Sequence, residues 1–154
     1  MDVSRLGAAA AVAALLLVPA APASAAQDQL RGSQVIDSQT GVATMSGDLV
    51  GDWYTLTFDL AGAQPSGTLQ ATGSELFVGC WDVDRDGACG GDDVVGWLAF
   101  DFHYSASAGG TGRCHHPVVG GGDGFAGATG QLTFKDRVGA CGQVVTTYSG
   151  HIDL

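Results

Sequence analysis

The stretch CWDVDRDGACGGDD, residues 80–93, has the residue types of a loop that wraps a hard cation. Asp82, Asp84 and Asp86 alternate and Gly87 follows, which matches the first, third, fifth and sixth positions of a calcium loop. The Ala88 carbonyl would then supply the seventh-position oxygen and Asp93 the twelfth-position carboxylate. Such a loop works because alternate carboxylates converge on one ion while glycine permits the sharp turn between them. Asp93 stands where a longer Glu is usual, so its reach is shorter, and affinity is expected in the weak extracellular range of about 0.1 to 1 mM. The competing reading is a solvated acidic turn pinned by Cys80 and Cys89. The crowding of Asp82, Asp84, Asp86, Asp92 and Asp93 around Arg85 alone inclines the choice toward calcium.

A second constellation could move protons. Asp101 and His103 lie two apart, so on a strand they share a face, beside Trp97. A carboxylate there could orient the imidazole for acid–base work, and Glu75 on a neighbouring strand could join them. The blander alternative is a hydrogen-bonded pair in a barrel wall. His115 and His116 are adjacent, and an extended strand sends them to opposite faces, so one is expected at the barrel mouth and the other in solvent. Gly122, Gly124 and Gly127 have the spacing of a dinucleotide fingerprint, but Gln131 to Phe134 continues as strand rather than helix, and Asp123 would repel phosphate. The glycines are therefore read as a tight turn and a strand kink.

The hairpin segment GGGDGFAGATGQLTF, residues 120–134, resembles the glycine-rich hairpin of the allene oxide cyclase barrel-like and dirigent-like families, and the closing strand TTYSGHIDL, residues 146–154, is similar to theirs. The resemblance implies an eight-stranded antiparallel barrel whose interior holds a small apolar molecule, with cyclisation catalysed or steered in some members. The matching residues are structural in those families, so no catalytic role is carried over.

The elements that must position these groups are strands. Tyr54, Leu56, Phe58 and Leu60 alternate with Trp53, Thr55, Thr57 and Asp59, the period of a half-buried strand. Residues 68–72 and 74–79 follow, with Gly73 read as a bulge or bend between them. Over 94–104, Leu98, Phe100, Phe102 and Tyr104 oppose Trp97, Ala99, Asp101 and His103, and large side chains on both faces predict a strand covered on both sides. Further strands are expected at 113–119, 130–135 and 143–154. The fold class is all-β, a single antiparallel barrel of about eight strands.

Arg5, the apolar run Leu6 to Val18 and Ala23-Ser24-Ala25 predict a secretory signal over 1–25, leaving one domain over 26–154. The run is shorter than the roughly 20 residues that span a bilayer. In an oxidising compartment four cysteines read as disulfides; of three possible pairings, Cys80 with Cys89 and Cys114 with Cys141 is the one expected. A net charge of −10 excludes nucleic acid and anionic membrane as partners. The sequence thus points to a secreted barrel binding a small apolar molecule, with calcium stiffening one hairpin. The alternatives are an extracellular cyclase or isomerase using Asp101, His103 and Glu75, and an interaction module with a filled barrel. Oligomeric state leaves no signal.

Overall fold

The computed structural model describes residues 29–107, 111–138 and 144–154; the expected signal segment and Cys141 lie outside the described residues. Eight strands follow one another: β1 (Leu30–Ile36), β2 (Ala43–Gly47), β3 (Leu49–Ala63), β4 (Leu69–Trp81), β5 (Val94–Ala106), β6 (Gly112–Asp123), β7 (Thr129–Val138) and β8 (Val144–Asp153). Each pairs antiparallel with its sequence neighbours, and β8 pairs back onto β1, so the sheet closes without an edge.

Closure makes side-chain parity decisive, because alternate residues point into the barrel. On β5 the expected faces hold: Leu98, Phe100 and Phe102 are buried inside, while Trp97, Asp101 and His103 face out. The expectation that both faces would be covered is corrected. Val95 and Trp97 remain substantially exposed, because the outer wall of a closed barrel needs no second layer to satisfy its backbone.

On β3 the expected alternation breaks at Leu56. A bulge between Thr55 and Thr57 gives the strand one extra residue, so inward positions run Leu49, Trp53, Thr55 and then Phe58. Trp53 is buried and Leu56 lies exposed at the irregularity. Gly73, in turn, is not a bulge: β4 runs through it in unbroken register with β5. A Cβ there would collide with the Thr57 carbonyl and the Phe102 ring, so the missing side chain lets Phe102 lie across the strand.

One end of the barrel is filled. Leu30, Met45, Leu49, Phe77, Leu98, Leu132 and Ile152 pack there around Phe125, which the turn between β6 and β7 folds inward as a plug. Gly121 makes the fold-over possible, since a Cβ at that position would meet the Phe125 backbone. A fully buried Phe or Leu in such a layer contributes about 1.5–3 kcal/mol. The glycine run is thus the turn and kink its sequence suggested.

Candidate functional site

At the other end the interior is not filled. A cavity of about 210 Å³ lies between the ends of the strands. Its walls are aromatic, with Trp53, Phe58, Phe102 and Phe134 lining it. Inward parity on β4 to β8 adds Glu75, Tyr104, Cys114, His116, Asp136 and Thr146.

Two polar clusters form from these residues. In the first, His116 Nε2 lies 2.7 Å from Glu75 Oε2, and Thr55 Oγ1 donates a 3.0 Å hydrogen bond to Glu75 Oε1. The His116 ring is wedged among aromatics, 4.4 Å from Phe134 and 5.4 Å from Trp53 between centroids. It is 3% exposed, and its Nδ1 has no hydrogen-bond partner. The 2.7 Å contact is an ion-pair approach without hydrogen-bond alignment, and Glu75 Oε2, like His116 Nδ1, has no hydrogen-bond partner among the described residues.

In the second cluster Asp136 accepts from Thr146 Oγ1 at 2.8 Å and from the Tyr104 phenol. Gly112 clears the space, because a Cβ there would stand 2.7 Å from both the Asp136 carboxylate and the Tyr104 hydroxyl. Burial, reinforced by the Asp136 charge, pushes the Tyr104 phenol above its ordinary value. Burial and the nearby Glu75 and Asp136 likewise push the Cys114 thiol up, so it stays protonated and is a poor nucleophile at neutral pH.

Of the acid–base residues expected from sequence, only Glu75 reaches this cavity. Asp101 and His103 sit on the exposed outer wall, separated from it by the sheet itself. His103 is the cross-strand neighbour of His115, also exposed, while His116 turns inward, as adjacent residues on a strand must. His116, Tyr104 and Asp136 were missed as a site. The signal for them was parity: each shares a face with a buried aromatic two residues away on its own or the paired strand.

The acidic hairpin between β4 and β5 closes the filled end. Cys80 and Cys89 are disulfide-bonded, as expected, with Cα atoms 5.6 Å apart. Among the described residues Cys114, beside the cavity, has no disulfide partner, and its expected partner Cys141 lies outside them. Ligand atoms of Asp82, Asp84 and Asp86 lie within 4.8 Å of one another. Asp82 is buried and accepts from the Asp86 and Gly87 amides at 3.2 and 2.8 Å, and Asp86 accepts from the Ala88 amide at 2.8 Å. Desolvation pulls Asp82 upward, but the Gly87 and Arg85 amides and a hydrogen bond from Asp84 outweigh it and hold the carboxyl low. The Asp86 amide favours ionised Asp84, yet desolvation, the proton shared with Asp82, and the charges of Asp86 and Asp93 together push Asp84 up. Asp93 stays outside the triplet, accepting from the Val83 and Gly90 amides at 2.8 and 2.6 Å.

A residue not anticipated from sequence anchors this hairpin. Asp48, almost buried in the turn between β2 and β3, accepts from the Arg31 amide at 2.7 Å and meets Arg85 Nε at 3.2 Å. Its carbonyl takes the Asp82 amide at 3.0 Å.

In comparison with known proteins, no family model, no curated protein and no solved structure matches this chain.

Proposed function

We propose that the protein is a secreted binding barrel that takes one small, ring-bearing, largely apolar molecule into the open-end cavity. The observation that carries this reading is the Glu75–His116 pair buried in an aromatic-walled void while the other end of the barrel is packed with side chains. Burying ionisable groups beside unfilled space is costly, and a ligand that fills the space and meets those groups offsets it. A dry cavity of roughly 150 Å³ accepts benzene, so about 210 Å³ suits a single ring with a short substituent. The outer wall carries Thr72, Ser74, Asp101 and His103 and suits water rather than lipid. Titration calorimetry with a panel of monocyclic molecules tests the reading, with dissociation constants expected on the order of 0.1 mM. Ala43→Leu, which intrudes on the cavity, should abolish binding. A full panel without heat or melting shift would refute it.

Calcium is the second element of the proposal, supported by the convergence of Asp82, Asp84 and Asp86, whose ligand atoms lie within 4.8 Å of one another. A cation held there would raise stability by about 2.7 kcal/mol at a hundredfold excess over its dissociation constant. Magnesium should do less, since it demands a tighter octahedral shell. Melting curves in calcium, magnesium and chelator decide the matter, and Asp84→Ala should remove the calcium response.

A cyclase or isomerase is the second reading, favoured by Glu75 and His116, which could hold and move a proton beside a bound molecule. It requires turnover that Glu75→Gln loses while ligand binding persists.

A further inference from the structure

We infer that the cavity selects amines: its ligand is a small ring-bearing organic cation, with the ammonium directed to the polar clusters and the ring to the aromatic wall. The inference rests on the ligand-binding reading above and names the chemical class.

Charge comes first. The groups facing the cavity that can carry charge are Glu75, Asp136, His116, Tyr104 and Cys114, and no Lys or Arg lines it among the described residues. Tyr104 and Cys114 stay neutral, Tyr104 pushed up by burial and Asp136, Cys114 by burial, Glu75 and Asp136. Two carboxylates against one imidazole leave the site negative by one charge or two, depending on the protonation of His116. A carboxylate or phosphate ligand would add a further like charge inside a low-dielectric pocket.

Hydrogen-bond capacity points the same way. The hydroxyls of Thr55 and Thr146 donate to Glu75 and Asp136, Tyr104 engages Asp136, and the side-chain donors left facing the cavity are the Gln34 amide and the Cys114 thiol. Each carboxylate oxygen keeps a further lone pair. His116 Nδ1 and Glu75 Oε2 are both buried atoms without a hydrogen-bond partner among the described residues. Acceptor capacity on Glu75 and Asp136 exceeds what these few donors can meet, and an ammonium group brings three more.

The walls complete the match. Trp53, Phe58, Phe102 and Phe134 line the cavity, and the negative quadrupole of an aromatic ring face attracts a desolvated cation. A neutral ring of equal size would gain the apolar contact without the charge contact. A gap of roughly tenfold in affinity follows from a cation–π and ion-pair gain of about 1.4 kcal/mol.

The test uses three probes of one size, benzylamine, benzyl alcohol and benzoate, titrated into the protein at pH 7. Benzylamine is expected to bind at least tenfold more tightly than benzyl alcohol, with benzoate giving no heat. Asp136→Asn should bring the amine and the alcohol within about threefold of each other, and Glu75→Gln serves the same purpose if that variant does not fold. Alcohol binding as tight as amine binding would overturn the inference while leaving the binding barrel intact. Silence from all three probes would overturn both. Benzylamine binding unchanged in Ala43→Leu would also overturn it, since the amine would then sit on the acidic surface rather than in the cavity.

Discussion

The two ends of this barrel hold their carboxylates in different ways. At the closed end the buried Asp82 and the exposed Asp86 are met by backbone amides of their own hairpin, no more than five residues away, and the buried Asp48 by the Arg31 amide and the Arg85 side chain. At the open end Glu75 and Asp136 are met by side chains from other strands, Thr55, His116, Tyr104 and Thr146. The first arrangement relies mainly on backbone amides; the second depends on side chains from several strands and leaves His116 Nδ1 and Glu75 Oε2 without a hydrogen-bond partner among the described residues. The difference separates a device that shapes the scaffold from one suited to receive a guest.

The strongest way to break this contrast is to remove one member of the open-end pair. His116→Leu should cost about 3 kcal/mol in denaturant unfolding, because Glu75 is left nearly buried without its partner. The double variant Glu75→Leu/His116→Leu should regain most of that loss, and a double variant no better than the single one would show that the pair is not the source. Next in size, Cys89→Ser should cost about 2–3 kcal/mol through the freed hairpin while leaving affinity in the cavity unchanged. A parallel fall in affinity would join the two ends that the comparison separates.

Alkaline pH gives a smaller effect with a definite sign. Burial raises Tyr148 well above its ordinary value, and the Asp48 charge adds to this against the opposing Leu49 amide. Tyr104 is raised as well. A group raised in the fold contributes stability that is complete below its unfolded value, about 10, and is lost as pH rises through its folded value. Melting temperature should therefore decline from about pH 10 upward, and phenolate absorbance from Tyr148 should appear only with unfolding.

The acidic hairpin supplies the smallest effect. Asp82 is held low, so its contribution is present above the ordinary carboxylate range and fades as pH falls through its folded value; Asp84, held high, works against it. Asp82→Asn should flatten the acid limb of the melting profile.

The same contrast explains what the sequence disclosed. The barrel was legible because turns and two-residue periodicity are local, and Cys80 with Cys89 was legible because one hairpin joins them. The faces of β3 were misread since a single extra residue at Leu56 reverses parity and leaves no mark in composition. The proton-transfer candidates Asp101 and His103 satisfied a spacing rule but lie on the outer wall, and spacing alone does not say which face is inside. The pair that does meet, Glu75 and His116, comes from strands that are not even neighbours in the sheet, brought together across the interior by closure.

The measurement that bears most directly on the central claim is a backbone amide NMR titration of the protein with a ring-bearing amine such as benzylamine. The cavity account predicts saturable shifts at Thr55, Glu75, Tyr104, His116, Phe134 and Asp136, with the outer-wall residues Val78, Val95 and Trp97 unmoved. Shifts confined to that exposed apolar patch, or no saturable shift anywhere, would contradict it.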